Sequence, residues 1–120
     1  MSSLGYEAVI PKLFGSLPEA KVAYDLWEMP GDPLPYIVIG FLEESFFTPA
    51  ILAEKDSPLL VRIFGFLEEM ASSSDGRVVE LLWVGLFEAW AADSNTFQKA
   101  FSRMGPKTKK LAKEAAIKLR

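Results

Sequence analysis

Apolar residues recur along the chain at three- and four-residue intervals, in segments separated by proline, glycine and serine, and that spacing predicts helices. Leu4, Val9, Ile10, Leu13, Phe14 and Leu17 fit helical spacing better than alternation, with Pro11 breaking or kinking the segment unless a helix begins there. Pro18 opens a second helix expected to run to about Glu28, since proline is tolerated in a first turn. Three prolines and a glycine between Pro30 and Pro35 then leave the chain little freedom except to turn. A long apolar helix is expected from Pro35 to about Glu54, with Pro49 as a kink or stop. Asp56-Ser57-Pro58 reads as a capping residue followed by proline at the first helical position, opening a fourth helix that ends in Ser72-Ser73-Ser74. Asp75 caps a fifth, running to about Asp93 and apolar on nearly every side, which places it in the middle of the fold. Ser94 or Asn95 caps a short sixth helix carrying Phe97 and Phe101. Gly105-Pro106 opens the last, whose Leu111, Ala115 and Leu119 mark one face.

Tyr36-Ile37-Val38-Ile39 has strand character, but no second run of its kind exists to pair with it, and an isolated strand is unstable. The expected fold is therefore all-α: a single domain over residues 1–120, a compact bundle of about six or seven helices with some solenoid-like stacking and a basic helix at about 106–119. A pattern of apolar run, glycine, two apolar residues and glutamate recurs around Gly40, Gly65 and Gly85. Mid-helix glycine costs about 1 kcal/mol against alanine. Its recurrence suggests places where two helix backbones approach closely.

Composition narrows function mainly by what is missing. With no cysteine and no histidine, disulfides, thiolate metal sites, Ser-His-Asp triads, Cys-His pairs and Glu-x-x-His di-iron motifs are all ruled out. No Gly-rich phosphate loop or dinucleotide motif is present; Gly105-Pro106-Lys107-Thr108 lacks the loop glycines and preceding strand. No cofactor and no catalytic residue is assigned, and a non-enzymatic protein is expected. The N-terminal residues lack a basic secretory signal region, and the longest charge-free stretches, Pro33 to Leu42 and Ser45 to Ala53, are about half a membrane span. A cytoplasmic protein without a membrane partner is the expectation.

Charge divides the chain. Met1 to Gln98 holds fifteen acids and five bases, whereas Lys99 to Arg120 holds eight bases and one acid. Adjacent glutamates on a helix point about 100° apart, so Glu43-Glu44 and Glu68-Glu69 do not converge on one reacting atom. They read instead as surface. If the repeated helices stack, Glu43, Glu44, Glu68, Glu69 and Glu88 form an acidic ridge that attracts a basic partner; the alternative is a solvated helix face. The lysines of the last helix suit phosphate contacts, but that helix has no aromatic residue to stack on bases and the acidic body repels nucleic acid. A scaffold or adaptor role, or nucleic-acid association through the basic helix, are the other classes open. The apolar excess also allows a homodimer.

The Leu34-Pro35-Tyr36 entry into an apolar helix, the Asp56-Ser57-Pro58 start of the next, and the Leu81 to Trp90 helix ending in Glu-x-Trp resemble small all-helical bacterial immunity proteins encoded beside secreted toxins. The likeness spans about Leu34 to Ala92 and rests on apolar helix patterns. It implies a cytoplasmic protein that binds and occludes a toxin domain with a basic surface, and it carries no residue-level binding site.

Overall fold

The computed structural model describes residues 3–53 and 56–118. Seven helices run through them: α1 (Val9–Ser16, entered by a tight turn at Tyr6–Ala8), α2 (Pro18–Leu26), α3 (Pro35–Leu52), α4 (Pro58–Ala71), α5 (residues 76–91), α6 (Ser94–Arg103) and α7 (Pro106–Lys118). No strand occurs among the described residues, and Tyr36–Ile39 is helical. The expected helix end near Glu54, together with Leu119 and Arg120, lies outside the described residues.

Proline placement follows from its missing N–H. Pro18, Pro35, Pro58 and Pro106 each begin a helix, where that donor would have no partner. Pro11 occupies the third position of α1, still within the first turn, so it neither breaks nor kinks the helix. Pro49 does not stop α3. Ahead of it the helix widens into a π turn at Glu43–Phe47, closed by Thr48 N–H donating to the Glu43 carbonyl. An ordinary α-turn would press the proline ring onto the carbonyl four residues back, and the wider turn avoids that clash.

Caps set most of the other boundaries. Ser57 Oγ accepts from Leu60 N at 3.2 Å, and Asp75 Oδ1 accepts from Arg77 N at 3.0 Å, as the sequence predicts. The cap of α6 is Asp93, and not Ser94 or Asn95. Its extended backbone lets one carboxylate oxygen receive Asn95 N and the other the Thr96 hydroxyl, at 3.1 and 3.0 Å.

The central position expected for the fifth helix is observed. Val78, Leu81, Leu82, Leu86, Phe87 and Trp90 of α5 are buried, and the helix packs against α3, α4, α6 and α7. On α4 Leu60, Ile63, Leu67 and Met70 are buried, with Leu59 partly so; Phe64 and Phe66 are buried as well, because α1, α5 and α7 all pack on this helix. The recurrent glycines have different fates. Gly85 meets α3 so closely that a Cβ there would stand 2.5 Å from Ile39 Cγ2, whereas Gly40 and Gly65 face open space. The close-approach reading therefore holds at Gly85 alone.

The radius of gyration of 13.5 Å equals the value of about 13.6 Å expected for a compact chain of this length, and the extents of 35 × 33 × 26 Å describe a bundle and not an extended superhelix. By length and composition α3 is the one described helix apolar enough to cross a membrane. In the bundle its Val38, Ile39, Leu42, Phe47 and Ile51 are buried against neighbouring helices.

A candidate protein-docking surface

The five glutamates of the expected ridge are distributed by the fold. Glu68 lies on α4 at the start of α7 and receives Lys107 N at 3.1 Å, Thr108 N at 2.9 Å and the Thr108 hydroxyl at 2.8 Å. Burial works to raise its pKa, but those hydrogen bonds and the nearby Lys107 charge together hold it below the usual carboxylate range. Its carboxylate thus caps a helix. Glu69 pairs with Lys12 of α1 at 3.5 Å, and Glu43 accepts from the Thr48 hydroxyl at 2.7 Å inside the π turn. Glu44 and Glu88 are exposed. The pairs Glu43-Glu44 and Glu68-Glu69 stand on α3 and α4, both of which pack against α5, the helix of Glu88; Glu43, Glu68 and Glu69 are taken up by partners within the fold.

Three lysines of the basic helix rest on aromatic rings of the bundle. Lys109 and Lys113 lie over the Phe101 ring at 5.5 and 5.7 Å, and Lys118 lies over Trp83 at 5.5 Å. Thr108, Ala112 and Ala115 are buried against the bundle, with Leu111 half-buried beside them. Among the described residues no group of three or more carboxylates is placed to hold a metal ion. A cleft of about 530 Å³ between α4 and the α6–α7 junction contains Arg103 and Glu68. Arg103 is bound to Asp56 at 3.0 Å and Glu68 is occupied by its cap, so no pair of free polar groups converges there.

The elbow joining α2 to α3 has a different character. Leu26 is 79% exposed, Val22 60% and Leu34 57%, with Trp27, Met29 and Ile37 each near 40%. α2 is apolar on two faces: Ala20 and Tyr24 pack inward, while Val22 and Leu26, four residues apart, point away from the core. The chain leaves α2 through Glu28 in the left-handed region (φ 54°), turns at Gly31 (φ 87°), and re-enters helix at Pro35.

This surface has a firm backing. The Trp27 ring stacks on Phe41 of α3 with centroids 4.2 Å apart and planes 2° from parallel, and Tyr24 meets both rings edge-on. Phe14 of α1 packs on Tyr24 at 5.7 Å. Next to the elbow, Tyr6, Ile10, Pro11, Phe14, Pro33 and Pro35 line an apolar groove of about 480 Å³. The polar rim is acidic. Asp25, Glu28 and Asp32 are exposed, and of these Asp25 is paired with Lys21 at 2.6 Å.

Helical periodicity does not single out this surface, because exposed leucines look like core leucines in a sequence. Two signals mark it in retrospect. α2 carries apolar residues on opposite faces, and the stretch Val22 to Glu54 holds six carboxylates without a single lysine or arginine.

Neither curated proteins nor solved structures yield a match to the chain. Its residues 10–119, which include all seven helices apart from the first residue of α1, match a family described only as a domain of unknown function. The chain belongs to this family, DUF7674.

Proposed function

We propose that this protein is a non-enzymatic binding module that docks a partner protein on the α2–α3 elbow. The observation that carries the reading is the exposed apolar group Val22, Leu26, Trp27, Met29, Leu34 and Ile37, braced by the Trp27–Phe41 stack. Contiguous apolar patches rimmed by polar residues are characteristic of interaction sites, and aromatic side chains held in one orientation lose little entropy on binding. The finer form of the proposal is an immunity-type role, in which the elbow seats on a bacterial toxin domain and occludes it. The resemblance of Leu34 to Ala92 to such proteins and the acidic body support that form.

The test is co-purification from the source cell at moderate salt, comparing wild type with a Leu26→Ser/Leu34→Ser double variant. Burying one leucine contributes about 2 kcal/mol, so loss of both should weaken a docked partner by roughly a hundredfold or more. A stoichiometric partner that is lost from the variant, and whose activity the wild-type protein inhibits, fits the immunity role. A partner lost without any inhibition fits a scaffold. Retention by the variant would move the interface away from the elbow.

A further inference from the structure

We infer that the elbow takes an amphipathic segment of the partner, one whose apolar side chains are flanked by lysine or arginine. This deepens the docking proposal above and rests on it. Three observations converge on that chemistry.

The first is the charge of the rim. Asp25, Glu28 and Asp32 are exposed beside and between Leu26 and Leu34 in the chain, the only cation near them in sequence, Lys21, is neutralised by Asp25 at 2.6 Å, and no ion pair forms at Glu28 or Asp32 among the described residues. An acidic segment or a phosphate backbone would be repelled, and a basic one drawn in.

The second is the aromatic ring at the centre. One face of Trp27 is covered by Phe41, and the residue remains 40% exposed. Elsewhere in this protein cations rest on aromatic faces: Arg77 on Tyr6 at 5.1 Å, Lys109 on Phe101 and Lys118 on Trp83. Among the described residues no cation lies over Trp27, so its ring is available to one from outside.

The third separates a partner from a second copy of this chain. The chain's own basic helix, α7, supplies cations but among its described residues exposes a single large apolar side chain, Ile117. It matches the rim and leaves Leu26 and Leu34 uncovered. A segment with several apolar residues between its cations satisfies both.

The experiment uses the full chain, isotope-labelled for NMR, and two synthetic helical peptides of about 18 residues. Both carry leucine at helical spacing; one has lysine and the other glutamate at the remaining positions. The lysine peptide should shift the amides of residues 22–37 and the Trp27 indole, and the glutamate peptide should not. A Glu28→Lys/Asp32→Lys variant, with circular dichroism confirming its fold, should bind the lysine peptide about tenfold or more weakly.

Equal binding of both peptides, no binding of the lysine peptide, or shifts centred on Glu43 and Glu44 would each overturn the inference. So would shifts at residues 22–37 that appear on raising the protein concentration alone, which would assign the surface to a second copy. A cellular partner lost with Leu26→Ser/Leu34→Ser but kept by Glu28→Lys/Asp32→Lys would remove the basic-segment chemistry and spare the docking site.

Discussion

The Glu68 carboxylate accepts both the backbone N–H and the hydroxyl of Thr108, at 2.9 and 2.8 Å, across forty residues of sequence. Free N–H groups at a helix start are usually met by a side chain of the same segment. Here another helix provides it. Replacing Glu68 with alanine should lower stability by about 1–2 kcal/mol, the upper range for a lost cap. Hydrogen exchange should rise most at the start of α7. The folded pKa of Glu68 lies below its ordinary value of 4.5, so its contribution is present above that value and disappears as pH falls through the lower folded one. Denaturant titrations of the wild type and Glu68→Gln at neutral and acid pH should therefore converge at acid pH.

Asp75 offers a second pH-dependent tie. Its side chain binds Arg77, receives Tyr6 N at 3.0 Å and caps α5, and these bonds lower its pKa from 3.8 to about 2. Arg77 is the largest cause. Stability from this group is complete above about pH 4 and is lost as pH falls through about 2. Asp75→Asn should reduce the melting temperature at neutral pH and flatten its decline in that acid window. A variant whose melting curve follows the wild type throughout would remove Asp75 from the account.

Two glycines at matching places in similar helices should respond oppositely to alanine. At Gly85 the new methyl would lie 2.5 Å from Ile39 Cγ2 and 3.4 Å from its Cβ, both close to the backbone of a buried β-branched residue that cannot swing away. Gly85→Ala should destabilise by about 1–3 kcal/mol, as overpacking does. At Gly65 the added Cβ meets nothing within 4 Å, so Gly65→Ala should stabilise by about 0.5–1 kcal/mol through the helix backbone alone. Chemical denaturation of the two single variants separates the cases.

Glu28 holds a left-handed backbone conformation where α2 ends, with its N–H donated to the Asp25 carbonyl at 3.1 Å. Glycine is the usual residue there because other L-residues cost about 1 kcal/mol. Glu28→Gly should raise stability by roughly that amount. If the elbow docks a basic segment, the same substitution should weaken docking, giving opposite signs in melting and binding measurements. A loss of stability would show that the side chain supports the turn.

Helix identity was legible because the apolar spacing and the caps act locally. Ser57, Asp75 and the proline starts are decided within four residues, and the central position of α5 follows from its apolar residues facing every neighbour. Asp93 displaced Ser94 and Asn95 as the cap of α6 because both its oxygens can accept, which residue order alone does not reveal. The Glu68 cap was hidden for a different reason: it depends on α4 meeting α7 in three dimensions. The expected acidic ridge took its glutamates as unpartnered, whereas Glu43, Glu68 and Glu69 each bind a group of the fold. The elbow was hidden because Leu26 and Leu34 differ from core leucines only in what the fold leaves uncovered.

The long-range cap at Glu68 also sets an order of events during synthesis. As the chain leaves the ribosome, α4 is complete well before α7 exists, and Glu68 emerges with no helix to hold. The parts of α4 and α5 on which α7 packs stay open to water until α7 is made. During that interval the nascent domain presents an uncovered seam with a carboxylate at its edge, and the pace of translation between Glu68 and α7 fixes how long that seam is exposed.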